Sequence, residues 1–450
     1  MQDNHSTFAE RPLCFPPLPT FAPLAFAQYG KQPMSPSLLL RLTLVLFLLF
    51  LIDWYAWRGI HTAIGVRGAG LQRWVRIGYW AVSVAMLAVI AFGMVRMGEL
   101  RSLHNHAFLY TVIGLFILFL LPKVVIVVFH GLEDLLELAR LGWNKLAPGA
   151  ASAEPDQGRI RFLSQIGLAL AAVPFSGVLY GLTRGWRNFN VAQVPIKVPK
   201  LPKAFDGLRI VQISDMHLGS FPADTRVVQH GIDLINAQNP DLILFTGDLV
   251  NNFADEVEPW LETVAKLHAP LGKFSILGNH DYGDYSSWTS TAAKEANLDR
   301  LKAHHRAMGF RLLLDEHLPI EKDGERFSLI GVQNWGTRFQ QYGDLGKAIA
   351  GTDPAQFRLL MSHDPTHWDA QVRATGIDLM LAGHTHGAQF GLTINGHTYS
   401  PAQWIYEEWA GLYRKGDAQL YVNRGFGFLG FPGRVGMPPE ITVLTLNPKG

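Results

Sequence analysis

Hydrophobic and polar positions divide this chain into two parts with different periods. From Leu38 to Trp57 nearly every residue is Leu, Phe, Val or Ile, and comparable runs follow from about Trp74 to Val95, Ala107 to Phe129 and Phe162 to Leu182. Each has the ~20 residues that a helix needs to cross ~30 Å of hydrocarbon, and none shows the polar face of a soluble helix. The pattern predicts an all-α transmembrane region of about four helices over 37–183. Trp54, Tyr55 and Trp57 stand at the end of the first run, where an interfacial aromatic belt would lie. Pro122 and Lys123 interrupt the third run, so a kink or a shorter span is expected there. The first run is long, starts late and is followed by others like it, which excludes a cleaved signal peptide.

Polar, proline-rich residues precede the spans, and 1–36 is expected to be a flexible tail. After them, the prolines of 184–204 exclude a helix and predict an extended linker beside the lipid headgroups, with Lys197, Lys200 and Lys203 within reach of phosphates. Arginines and lysines in the short loops set the orientation. The loops around 58–73 and 130–161 hold Arg58, Arg67, Arg73, Arg140, Lys145, Arg159 and Arg161. That excess predicts these loops to be cytoplasmic and the remainder of the chain extracytoplasmic.

From Leu208 onward short apolar runs alternate with amphipathic stretches, the pattern of an α/β domain over 205–450. Strands are predicted at 208–214, 242–247, 273–277, 326–332, 357–362, 378–382, 419–423 and 441–446, and helices at 225–238, 257–267 and 294–308. Four runs turn polar where the strand should end: IleSerAspMetHis at 213–217, ThrGlyAspLeu at 246–249, GlyAsnHisAsp at 278–281 and AlaGlyHisThrHis at 382–386. His363 follows another run in the same way. Sites in open α/β folds form at the ends of sheet strands, so Asp215, His217, Asp248, Asn279, His280, His363, His384 and His386 are expected to converge. Imidazoles, a carboxylate able to bridge and an amide oxygen suit two divalent cations. His304 and His305, on a polar helix outside these blocks, are expected to be solvated.

The blocks Asp-x-His, Gly-Asp, Gly-Asn-His-Asp, a lone His and Gly-His-x-His stand here in order. The chain over roughly 205–450 thereby resembles the calcineurin-like metallophosphoesterases, and most closely the membrane-linked bacterial ones. That resemblance implies a sandwich of two mixed sheets flanked by helices, with a dinuclear centre at one edge. It assigns Asp215, His217 and His386 to one metal, Asn279, His363 and His384 to the other, and Asp248 to both. His280 would be catalytic, with Asp281 accepting a hydrogen bond from its ring. A regular strand would put His384 and His386 on one face. The donor set favours Mn²⁺, Fe²⁺ or Zn²⁺ over Ca²⁺. In the glycine-rich stretch 423–440, Arg424 or Arg434 would bind substrate phosphate, while Phe426, Phe428, Leu429 and Phe431 would dip into headgroups or receive an acyl chain.

The reaction implied is hydrolysis of a phosphodiester, phosphomonoester or pyrophosphate bond by metal-activated hydroxide, on a membrane-associated small-molecule or lipid substrate. Some relatives cleave the pyrophosphate of UDP-2,3-diacylglucosamine in lipid A synthesis, and the shared ligand set does not separate these activities. A sensor with vestigial hydrolysis is the alternative of another class, and the full ligand set argues against it. A bacterial inner membrane, spanned several times, is the implied location. With 39 Lys+Arg against 37 Asp+Glu, nothing calls for a nucleic acid, and no protein partner is implied. A single cysteine, Cys14, excludes an internal disulfide.

Overall fold

The computed structural model describes residues 36–65, 68–96, 107–146, 156–222 and 226–448. The expected tail lies outside them except for Pro36. From Leu46 to Gly450 the chain forms one compact unit, and the unit before it, Met1–Val45, contributes the start of the first helix.

Four long helices come first: α1 (Pro36–Ile64), α2 (Ala69–Val95), α3 (Ala107–Leu146) and α4 (Gln157–Thr183). All four are long and apolar enough to cross a membrane. Their large side chains point outward, as Leu48 at 58% and Val173 at 68% exposure illustrate, an arrangement that lipid satisfies and water does not. Inside the bundle Lys123 pairs with Asp53 and donates to Ser83 Oγ at 3.0 Å, while Tyr79 donates to the Asp53 carbonyl at 2.7 Å. A charge at membrane depth needs such a partner. The third span is not shortened at Pro122: α3 continues through it for 40 residues, about 60 Å at 1.5 Å per residue.

The rest of the chain is a sandwich of two six-stranded sheets. The first contains β1 (Asn190–Lys197), β2 (Leu208–Ile213), β3 (Leu242–Phe245), β4 (Lys273–Ser275), β5 (Arg311–Leu312) and β14 (Glu440–Asn447), in the order β1-β14-β2-β3-β4-β5. The second contains β6 (Glu316–Lys322), β7 (Glu325–Gly331), β8 (Arg358–Met361), β9 (Leu379–Ala382), β12 (Gly411–Lys415) and β13 (Ala418–Val422), in the order β12-β13-β9-β8-β7-β6. β10 (Leu392–Ile394) and β11 (His397–Tyr399) form a separate hairpin.

Within each sheet the site-bearing strands, β2, β3 and β4 in the first and β8 and β9 in the second, run parallel to one another. Burial on both faces explains why they read as unbroken apolar runs. Ile210, Leu244, Phe327, Leu359 and Leu381 fill the space between the sheets. Val211 and Ile213 face the opposite way, toward helices α5 (Arg226–Asn236), α6 (Leu261–Ala265) and α7 (Thr291–Ala307).

Two expectations fail here for physical reasons. Residues 190–197 of the expected linker are strand β1, which pairs in parallel with β14 over eight residues. Pro195 is tolerated because β1 is an edge strand with no neighbour on one side. Lys200 is not held out for lipid phosphate, since it donates to the Pro354 carbonyl at 2.9 Å and pairs with Asp378 at 3.1 Å. His304 and His305 are buried, because the last turns of α7 lie against the first sheet. The His305 ring lies 6.0 Å from that of Phe245 and 6.4 Å from that of Phe310. Among the described residues neither of its nitrogens has a hydrogen-bond partner.

Burial pushes His305 down to about 3, so the unfolded chain takes up the proton first as pH falls. Stability is therefore lost from about pH 6.5 downward, by roughly 2 kcal/mol at about pH 5 for this group alone. His305→Leu should reduce the acid-induced fall in the thermal unfolding midpoint of the detergent-solubilised protein, and an unchanged fall would contradict this account.

Candidate metal centre

Five strands deliver the candidate residues to one place. Asp215 and His217 follow β2, Asp248 follows β3, Asn279 and His280 follow β4, His363 follows β8, and His384 and His386 follow β9. Because these strands are parallel neighbours in two facing sheets, their C-terminal ends meet at one edge of the sandwich. Tight loops then turn the side chains inward. Asp215, His217, Asp248, His384 and His386 all have left-handed backbones, with φ of 51°, 44°, 60°, 70° and 50°. Such conformations cost about 1–3 kcal/mol each and persist only where the surroundings enforce them. This corrects the regular-strand reading of His384 and His386: β9 stops at Ala382, and a turn aims both rings.

The donors fall into two groups, Asp215, His217 and His386 in one and Asp248, His363 and His384 in the other, with the offered atoms of each within 4.8 Å of one another. In the first, His386 Nε2 lies 3.1 Å from His217 Nε2 and 3.2 Å from Asp215 Oδ1. In the second, His363 Nε2 lies 3.1 Å from Asp248 Oδ2, and His384 Nδ1 lies 3.3 Å from His363 Nε2 and 3.0 Å from Asn279 Oδ1. Asp248 Oδ2 is also 3.6 Å from His217 Nε2, so one carboxylate faces both groups.

Orientation of the rings is set from behind. His217 Nδ1 donates to the Val250 carbonyl at 3.1 Å and His363 Nδ1 to the Thr246 carbonyl at 2.8 Å, which leaves each Nε2 lone pair for a cation. Buried imidazoles turned lone pair to lone pair beside carboxylates fit divalent ions.

Burial pushes His217 down to about 3. Burial also opposes protonation of His363, but Asp248, helped by Asp215, overcomes it and raises the ring to about 10. Both carboxylates lie below the usual range, because His386 beside Asp215 and His363 beside Asp248 outweigh desolvation.

Asp281 does not bond the His280 ring. Its carboxylate accepts from the amides of Asp248 at 3.0 Å, Leu249 at 2.8 Å, Val250 at 3.3 Å and Gly278 at 2.8 Å. The Asn251 carbonyl, 2.8 Å from Nδ1, orients His280 instead. Burial and the Asp248 charge push Asp281 up to about 7, opposed by the Gly278 and Leu249 amides and by His363. Gly278 belongs to the same arrangement, since a Cβ there would come within 2.3 Å of Asp248 Oδ1.

Arg434, expected to meet substrate, is buried beneath the site. Its guanidinium donates to the carbonyls of Arg424 at 2.9 Å, Gly425 at 3.0 Å and Gly427 at 2.8 Å, and its Nη2 lies 3.3 Å from His386 Nδ1. It holds the glycine-rich loop against a metal-ligand candidate. Arg424 remains partly exposed, 3.5 Å from Glu440. Phe426, Phe428 and Phe431 are core residues and not a lipid-facing loop: the Phe426 ring packs tilted on Phe189 at 4.6 Å and Phe428 on Trp186 at 5.4 Å. Phe431 joins Leu118 of α3 and Val178 of α4.

Several residues beside the centre carried no sequence signal. A cavity of about 570 Å³ opens from Asn279 and is lined by Tyr285, Lys294, Arg338, Phe339 and Tyr342. The Tyr285 ring lies 4.5 Å from that of His280, and its hydroxyl accepts from Asn279 at 2.9 Å. Tyr406 bonds His384 Nε2 at 2.9 Å, and Arg338 sits 5.6 Å over the Tyr406 ring. These residues come from irregular loops, where no period or motif marks them.

Two family models match the chain: "Probable Calcineurin-like phosphoesterase, transmembrane domain" over 37–186 and "Calcineurin-like phosphoesterase" over 208–388. Among curated relatives, the uncharacterized metallophosphoesterase YkuE of Bacillus subtilis is 34% identical over 300 residues, covering 64% of this chain and 97% of the relative. A transmembrane protein with metallophosphoesterase domain from Danio rerio is 28% identical, covering 91% of this chain and 90% of its own. Its counterpart from Bos taurus is 26% identical over the same shares.

Replacing Asp281 by Asn removes one acceptor oxygen from the amides that fix Asp248. Metal affinity should fall about 10–100-fold, the usual cost of losing an outer partner of a ligand. Metal content measured after dialysis against graded free Mn²⁺ checks this; wild-type retention would show that the amide cluster does not position Asp248.

Proposed function

The chain belongs to the calcineurin-like phosphoesterase family, and we propose that it is a membrane-anchored hydrolase of a phosphodiester, phosphomonoester or pyrophosphate bond that uses a dinuclear metal centre on a membrane-associated substrate. The observation that carries the reading is Asp248, whose single carboxylate faces two separate groups of buried His and Asp donors. In this reading Asp215, His217 and His386 hold one divalent ion, and Asn279, His363 and His384 hold the other. Nitrogen-rich donors with carboxylate and amide oxygen favour Mn²⁺, Fe²⁺ or Zn²⁺. Such ions, when bound, supply a water of lowered pKa and neutralise charge that builds on phosphoryl oxygens.

The chain's own contribution is geometry and proton handling. His280, half-buried beside Asn279, has its ring fixed through Nδ1 by the Asn251 carbonyl. Burial lowers its proton affinity, against the pull of Asp248, which makes its protonated form a readier donor to a departing oxygen. Asn279 joins the centre to the neighbouring cavity, where Arg338 and Lys294 offer positive charge to a phosphorylated substrate. Arg424 is the remaining cation of the glycine-rich loop that can reach solvent. The excess of Lys and Arg in the loops at the other end of the spans favours an extracytoplasmic catalytic domain on a bacterial cell membrane.

Chelation should abolish hydrolysis and Mn²⁺ should restore it; activity that survives thorough metal removal would refute a metal-dependent reaction. A panel of aryl diesters, nucleotide diphospho-sugars and phospholipids, offered to the metal-loaded protein in detergent, identifies the bond cleaved. His280→Gln should lower kcat about 10²–10⁴-fold with metal content unchanged. Parallel loss of both would place His280 among the ligands instead.

A further inference from the structure

The hairpin β10–β11 is the one two-stranded sheet among the described residues, and no described third strand pairs with it. Asn395 and Gly396 form its turn with φ of 50° and 80°, the left-handed pair that a two-residue hairpin requires. In its register Leu392 faces Tyr399 and Ile394 faces His397, with Thr393 and Thr398 on the opposite side. One face therefore carries Leu392, Ile394 and Tyr399 together with His397 beside the turn, all exposed. Leu392 is 61% and Ile394 50% exposed, and Trp404, a few residues on, is 80% exposed. A bare hairpin of this size is marginal in water.

What covers it follows from where it starts. Phe390, two residues before Leu392, packs at 4.6 Å on Phe431 and joins the cluster of Leu118 and Val178 on the membrane-spanning helices. Val178 lies five residues inside the end of α4, about 8 Å along the helix axis. Gly391 donates to the Val435 carbonyl at 2.8 Å, and Arg434 donates to the Gly181 carbonyl of α4 at 3.3 Å. The strand leading into the hairpin thus begins at the depth of the spans, and three extended residues reach only about 10 Å further. Its apolar face cannot lie far from the bilayer surface.

From these positions we infer that Leu392, Ile394, Tyr399 and Trp404 insert into the lipid bilayer as a second anchor beside the four helices. Trp404 and Tyr399 are the ring types that settle at the headgroup level, and Leu392 and Ile394 enter the acyl boundary. The chain then returns through Tyr406 to His384. Membrane contact and metal centre are thereby joined by one short loop, and a phosphate at the headgroup level is brought to the rim of the site. Insertion rests on the membrane reading alone; delivery of substrate rests also on the proposed hydrolysis.

The test uses the full chain in vesicles of phosphatidylcholine and phosphatidylglycerol. In a Cys14→Ser background, Ile394→Cys, or Trp404→Cys should the first misfold, is labelled with an environment-sensitive fluorophore. Asp323→Cys is the control, because the β6–β7 turn lies at the end of β7 opposite the metal centre. At 394 or 404 emission should shift to the blue, be quenched by brominated acyl chains and be spared by iodide, with the reverse at 323. Iodide quenching at 394 and 404 equal to that at 323 would overturn the insertion. An inactive protein whose 394 label is still quenched by brominated lipid would refute the proposed hydrolysis and support the anchor.

Discussion

Everything at the candidate metal centre depends on one electrostatic constraint: Asp215, Asp248 and four largely buried imidazoles are confined where the two sheets meet. Buried carboxylates at such spacing repel unless positive charge lies between them. Asp248 raises the proton affinity of His363 for this reason, and divalent ions would meet the same need. The surrounding backbone serves the same requirement. Asp281 gathers four amides behind Asp248, carbonyls of Thr246 and Val250 fix two rings, and five strained backbones aim donors inward.

The membrane region and the phosphoesterase-like domain are continuous in the same sense. β1 follows closely after α4 and enters the first sheet as an edge strand, so no free tether separates them. Phe431 lies against α3 and α4, while Arg434, three residues later, approaches His386. A single loop is therefore packed on the apolar helices at one point and on the candidate metal centre at another.

Much of this was legible in the sequence because the signals were periodic or repeated. Four apolar runs of helical length predict the spans, and alternating apolar runs predict most strands of both sheets. The expected helices differ from the observed ones mainly at their ends, with 257–267 divided between a short 3-10 turn at Ala254–Trp260 and α6. Strand-end motifs drew attention to the residues that the fold then gathers. Signals failed where local pattern and tertiary contact disagree. β1 read as a linker because its prolines argue against a strand except at a sheet edge. His304 and His305 read as solvated because the composition of α7 is polar, yet both are buried where its C-terminal turn meets the sheet.

The order of residues alone determined which chemistry is available: Asp, Asn and His at the ends of buried strands, following about four stretches able to cross a membrane. Tertiary structure decided what each polar group faces. Asp281 turned from His280 to backbone amides, Arg434 from substrate to a buried loop, and Phe426 and Phe428 from lipid to core. Tyr285, Arg338 and Tyr406 gained a place beside the centre. Periodicity records burial along a single element, whereas a hydrogen-bond partner is set by which distant loop occupies the adjacent space, and no local pattern encodes that.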